Sequence, residues 1–255
     1  MQAGSRRECI VRTHGDFSLE GKLVVVGFPG MALVGKNVAD ALVRKFYLEK
    51  KASIFTIHAP GAVPVERGIL KPAEISLYTK EDSPVAVLTS PFQPSSEESQ
   101  NALAHSILSF LEKYNAKRVL AAAAYVSPEP ALPRRVYVAA SSTHLLERLR
   151  GLGAIVMNGG ISGLNGLIPG LAPVYSMEGA VLLGETGEFY VASGIVDYRA
   201  AAEVVLVIGK LLNVQLEVSD MISSAESVER WIRESLRREG EEERGERERE
   251  PHTHM

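Results

Sequence analysis

The sequence predicts an α/β fold: a mixed, largely parallel central sheet sandwiched by helices, followed by a C-terminal amphipathic helix and a charged tail. Apolar, β-branched runs alternate with stretches of helical periodicity over residues 1–218, the pattern of a sheet covered on both faces. Leu23–Val26 and Val85–Leu88 are apolar throughout, as strands with no solvent face are. From Glu239 to Glu250 the chain contains only Glu, Arg and Gly, a composition that cannot bury enough apolar area to offset chain entropy.

The strands expected in order are Cys9–Arg12, Lys22–Gly27, Ser53–His58, Glu74–Tyr78, Val85–Thr89, Arg118–Tyr125, Ala154–Met157 and Gly179–Leu183. A hairpin around Gly68 within Val63–Tyr78 adds an antiparallel portion. Val34, Val38, Leu42 and Phe46 recur at i+4 and mark a first helix. Leu103, Ile107 and Leu111 mark a second, opened by Ser95 with Glu98 at capping-box spacing. A third helix runs from about Ser142 to Arg150. A fourth opens at Asp197, with Val204, Ile208 and Leu212 on one face. Ser219 caps the last, whose stripe is Ile222, Ala225, Val228, Ile232 and Leu236. The division expected is one α/β domain over 1–218, an amphipathic helix over 219–238 and a charged flexible tail over 239–255.

The 255 residues are 45% hydrophobic and 23% charged, with a net charge of −3. That balance supplies no electrostatic attraction to nucleic acid or an anionic membrane. Cys9 is the single cysteine, so no internal disulfide forms. The start carries no apolar signal-peptide core and no run approaches the roughly 18 apolar residues of a span; the expected location is the cytoplasm.

Gly30–Lys36 match G-x-x-x-x-G-K, the core of a phosphate-binding loop. The residue that should ligate magnesium is Asn37, not Ser or Thr, and Val85–Leu88 ends in Thr89-Ser90 with no acidic residue. Met31-Ala32-Leu33-Val34 are apolar, and their spacing makes them the first turns of the first helix. Pro29-Gly30 is then a strand-to-helix turn, and nucleotide binding is not expected. Residues 157–170, MNGGISGLNGLIPG, could bind an anion through Gly159, Gly160 and Ser162 at a helix start. However, no Lys, Arg or His lies between Gly151 and Tyr198, so a short buried helix with Ile161, Leu164, Leu167 and Leu171 is the favoured reading. Ser162 and Ser193 lack the G-x-S-x-G elbow of a nucleophile. No histidine pair has metal spacing, and no metal or cofactor is implied. Glu66 and Arg67 fall on the hairpin rim. Glu185 ends a strand, where a carboxylate can face a ligand crevice, although helix capping is the favoured role. Ala121–Ala124 imply close packing of a helix on a central strand.

Five stretches together resemble the proteasome-assembly-chaperone family, in its archaeal and bacterial single-chain branch. They are Gly27-Phe28-Pro29-Gly30 with Leu33-Val34-Gly35; Gly68-Ile69-Leu70-Lys71-Pro72; Pro91-Phe92-Gln93-Pro94-Ser95; Gly163-Leu164-Asn165-Gly166-Leu167; and Leu182-Leu183-Gly184-Glu185-Thr186. The resemblance spans about residues 22–215. It implies a phosphorylase-like sheet between helices, no established enzyme activity, homo-oligomers, and help for proteasome α-subunits in forming rings. Members that engage proteasomes often end in hydrophobic-Tyr-any residue. Here the corresponding residues are Thr253-His254-Met255, so any α-ring contact would use another route. Arg244, Arg247, Arg249 and His254 are the candidate partner-binding residues of the tail. Three functions follow: a non-enzymatic oligomeric assembly factor binding proteasome α-subunits or a related client; a nucleotide- or small-anion-binding enzyme using the crevice at Gly159, Gly160 and Glu185; or a self-assembling scaffold without proteasome contact.

Overall fold

The structure, a computed structural model, describes residues 8–249. Its strands are β1 (Cys9–Thr13), β2 (Leu23–Gly27), β3 (Glu49–Thr56), β4 (Val65–Glu66), β5 (Ile69–Leu70), β6 (Ile75–Thr79), β7 (Val85–Thr89), β8 (Arg118–Ser127), β9 (Val136–Ala140), β10 (Ile155–Val156) and β11 (Glu178–Gly187). The helices are α1 (Val34–Lys45), α2 (Glu97–Lys113), α3 (Thr143–Gly151), α4 (Leu164–Leu171), α5 (Glu188–Ala192), α6 (Tyr198–Leu212) and α7 (Ser219–Arg249).

Nine strands form one sheet in the order β1-β3-β6-β7-β2-β8-β11-β9-β10. The middle four, β7, β2, β8 and β11, are mutually parallel. Antiparallel pairs flank them on both sides, so the sheet is mixed with a parallel centre, as expected. Alternation along the central strands divides the core in two. Val25, Val87, Leu120, Ala122 and Leu182 pack under α1, α3, α6 and the start of α7. Val24, Val26, Leu88, Ala121 and Leu183 pack under α2 and α4. Period-2 burial of this kind follows from the strand pleat.

Three local expectations are corrected. Met31-Ala32-Leu33 do not form the first turns of α1. They make a separate 3-10 turn in which Ala32 (φ 47°) and Leu33 (φ 50°) are left-handed. Each such residue costs about 1–2 kcal/mol, and tertiary bonds hold the turn. The Asp197 N–H donates to the Ala32 carbonyl at 3.1 Å, and Asn37 Nδ2 donates to that of Leu33 at 3.0 Å. The cap of α2 is Ser96 rather than Ser95; its Oγ accepts the Ser99 N–H at 3.3 Å. Val136–Ala140 was not expected as a strand, yet β9 pairs with β11 along its whole length.

The expected boundary between residues 238 and 239 falls inside α7. Met221 and Ala225 seat the first turns of α7 in the core. Lys45 reaches Asp220 at 2.8 Å and Arg199 reaches Glu229 at 2.5 Å, tying the helix to α1 and α6. The backbone at Arg244, Arg247 and Arg249 is helical; His254 lies outside the described residues.

Candidate functional site

The turn after β2, the carboxyl half of β8 and Leu183 of β11 border a cavity of about 700 Å³, near the position where ligands or partners meet open α/β sheets. Its frame comes from three of the signature stretches, which the fold brings together. Asn165, at the start of α4 and buried, holds the backbone of Phe28 from both sides. Its Oδ1 accepts the Phe28 N–H at 2.9 Å and its Nδ2 donates to the Phe28 carbonyl at 3.0 Å. Gln93 makes the adjacent clasp, donating from Nε2 to the Pro29 carbonyl at 2.6 Å and accepting the Leu164 N–H on Oε1 at 3.3 Å. The turn after β2, the approach to α2 and the start of α4 therefore form one hydrogen-bonded unit.

The glycines of these stretches answer to close approach. A Cβ on Gly35 would land on the carbonyl of Ala122, and one on Gly27 would land on that of Gly35. The alanine run of β8 lets α1 lie directly on the strand. Gly163 has φ 79°, and a Cβ there would press on the Gln93 amide; Gly166 packs on the Ile161 carbonyl.

Gly30, Gly35, Gly163 and Asn165 line the cavity, as do Gly159, Gly160 and Ser162. Glu185 does not. It is fully buried two residues beyond Leu183 on β11 and caps no helix, which corrects the capping expectation. Its Oε2 accepts the N–H of Ala131 at 3.0 Å and of Arg135 at 3.2 Å, while Arg135 Nε reaches both carboxylate oxygens at 3.0 Å. Burial opposes ionisation here, but the bonds from Arg135 and the two N–H groups outweigh it and hold the carboxyl at about 2. Glu185 thus fixes the loop between β8 and β9. Arg134, on the same loop, lies 3.4 Å from Asp197, whose Oδ2 also accepts the Thr186 hydroxyl at 2.9 Å. Tyr137 stacks on Tyr125 at 4.0 Å between ring centroids beside this loop; burial, then the charge of Glu185, raises its phenol.

Sequence reasoning quoted Gln93 without a role and missed Arg134, Arg135 and Tyr137. The adjacent arginines after Pro133, ahead of an apolar pentapeptide, were the available signal.

No Lys, Arg or His is among the described residues that line the cavity. Lys36 points along α1 to Asp40 at 2.5 Å. Millimolar Mg-ATP is accordingly expected to leave the melting temperature unchanged, whereas a ligand at 100 times its dissociation constant would add about 2.7 kcal/mol. A rise in a thermal scan that disappears in Lys36→Ala would restore the phosphate-loop reading. Among the described residues no group of three or more His, Cys, Asp or Glu could hold a metal ion, and no helix is long and apolar enough to cross a membrane.

The same arrangement of strands and helices recurs in known proteins. PbaB of Pyrococcus furiosus, described as an archaeal proteasome activator, has a TM-score of 0.82 at 22% identity, over 91% of this chain and 100% of the other. PbaA of the same organism, described as an archaeal homolog of proteasome-assembly chaperone, has a TM-score of 0.77 at 24% identity, over 95% and 97%. An uncharacterized protein of Methanocaldococcus jannaschii is 28% identical over 218 residues, 84% of this chain and 83% of its own. The PAC2 family profile matches residues 24–236, from the first central strand into the last helix and across every residue of the clasp, and the chain belongs to the PAC2 family.

Proposed function

We propose that this protein is a non-enzymatic, homo-oligomeric assembly factor that binds proteasome α-subunits. The observation that carries the reading is the clasp. The family-signature residues Gly27, Gly35, Gln93, Asn165 and Gly166 are engaged with one another or with neighbouring backbone, so they build a rigid scaffold instead of presenting a nucleophile and a base. The fold shared with PbaB and PbaA supports the partner class. The cytoplasm is the compartment this role requires.

The partner contact is assigned to the distal part of α7, where Arg244, Arg247 and Arg249 recur along a helix beyond the body. Arginine contacts to an acidic surface weaken as salt rises past 0.15 M, where the screening length is about 8 Å. Recombinant α-subunits should co-elute with the full chain at low salt, less so at high salt, and less with a chain truncated after Arg238. Absence of co-elution at low salt defeats the reading; salt-independent co-elution that survives truncation moves the contact to the folded body.

A further inference from the structure

The cavity beside the clasp has hydrogen-bonding capacity that the fold does not use. Its inner wall is apolar: Ala123 and Ala124 of β8 and Leu183 of β11, all buried, border it. Met31, Met157 and Ile161 continue that wall toward the opening, and Met31 is half exposed. The rim is polar. Ser95 and Glu97 stand at the start of α2, Asn158 and Ser162 on the loop before α4, and all four are exposed. None of these four side chains has a hydrogen bond or ion pair to another described residue. An apolar floor with a few converging polar groups is the make-up of a small-molecule site. The volume of about 700 Å³ lies within the roughly 300–1,000 Å³ that such sites occupy.

We propose that this cavity is a binding site for an alkylammonium group, a protonated primary amine on an aliphatic stem. Charge selects the cation. Glu97 is the one residue charged at neutral pH among the described residues that line the cavity, and Glu98 beside it carries the same sign. An anion would meet these carboxylates with no cation to pair with. It would also find helix starts that are already served: Ser96 Oγ accepts the Ser99 N–H of α2, and Gln93 Oε1 accepts the Leu164 N–H of α4, each at 3.3 Å. Hydrogen bonding points the same way. An ammonium has three N–H donors and no acceptor, and the free rim groups can all accept: the Glu97 carboxylate, the Ser95 and Ser162 hydroxyls and the Asn158 amide oxygen. The stem follows from the wall. The unbranched thioether side chains of Met31 and Met157 adapt to methylenes and ask for no polar partner.

The site does not depend on the assembly-factor reading, which stands whether or not an amine binds. Nuclear magnetic resonance on the full chain, with carbon-13 in its methionine methyl groups, tests it; Met221, in the core under α7, is the internal control. Titration with n-butylammonium chloride should shift the Met31 and Met157 methyls to saturation and leave Met221 in place. Glu97→Gln should weaken that binding about three- to tenfold, the range between an exposed ion pair and a hydrogen bond to a charged group. On the wild type n-butanol should bind more weakly by a similar factor, and sodium butyrate should give no saturable shift. A free amine and the lysine side chain of a protein partner carry the same group. N-acetyl-lysine N-methylamide separates them: binding as tight as that of butylammonium assigns the site to a lysine side chain, and binding of butylammonium alone assigns it to a free amine. Absence of a saturable shift with butylammonium, equal binding of butanol, or tighter binding of butyrate overturns the site. If Glu97→Gln moves Met221 and so disturbs the fold, the comparison of butylammonium with butanol and butyrate on the wild type decides alone.

Discussion

Asn165→Ala is expected to lower the unfolding free energy by about 2–5 kcal/mol. The substitution leaves the Phe28 N–H and carbonyl without their side-chain partner in a buried site, and each buried, unsatisfied group costs roughly 1–3 kcal/mol. The loss extends beyond one residue, because Gln93 holds the carbonyl of the next residue, Pro29. Gln93→Ala and Asn165→Ala should therefore combine non-additively, as neighbours sharing one network do. Asn165→Asp separates hydrogen bonding from packing. At neutral pH the carboxylate can still accept from the Phe28 N–H but has no hydrogen to give the Phe28 carbonyl, and it buries a charge. Burial should raise its pKa in the folded state above the unfolded value. The destabilisation is then full above the raised folded-state pKa and relaxes, relative to wild type, as pH falls from that value toward the unfolded one and an O–H donor is restored. Urea titrations of wild type and the variants at pH 7 and pH 4 measure this. A cost below about 0.5 kcal/mol for Asn165→Ala, the scale of an ordinary surface change, would show that the clasp does not stabilise the fold.

The clasp also marks the boundary of what sequence could reveal. The central strands were legible because they are apolar throughout, and α2, α3 and α6 because their apolar period is clear; Ser142 and Asp197 accept the N–H groups of Leu145 and Ala200 at the starts of α3 and α6, whereas α2 is capped one residue later than its capping-box pattern predicts. The start of α1 was misread because Met31–Val34 favour helix intrinsically. The close approach of Gly35 to β8 and the Asp197 bond to Ala32 override that preference, as tertiary context does for weak local propensities. β9 escaped notice because it is five residues long behind a proline-rich loop, and its partner β11 lies some forty residues on in register. The roles of Asn165 and Glu185 depend on partners 137 and 50 residues away, which no local pattern encodes. Glycine spacing in residues 27–35 and 163–166 signalled a special backbone. Only the packing distinguishes a phosphate cradle from helices pressed onto strands.

Glu185→Gln should remove about 2–3 kcal/mol at neutral pH, and that difference should shrink on acidification. The carboxylate is fully buried, whereas Arg135 is 45% exposed and can regain water when its partner is neutralised. This places the cost at or below the lower end of the roughly 3–5 kcal/mol seen when a buried pair is broken. The direction with pH follows from the acidity of the group in the two states. In the fold it titrates at about 2, against an ordinary value of 4.5 in the unfolded chain. As pH falls through 4.5 the unfolded chain takes up a proton that the folded protein still refuses, so protonation favours unfolding. The contribution is present in full above about pH 5, declines between 4.5 and 2, and is exhausted below 2; a depression of this size corresponds at most to roughly 3 kcal/mol. Glu74, Asp220 and Glu229 are also held below their ordinary values, each with a lysine or arginine partner. Wild type and variant will thus both lose stability in acid, and the informative quantity is the gap between them. Urea unfolding at pH 7, 4 and 3 should show that gap narrowing steadily. A gap constant with pH would mean that Glu185 acts through shape rather than charge. The loop it anchors would then depend on Arg134, Asp197 and the Tyr125–Tyr137 stack for its place beside the cavity.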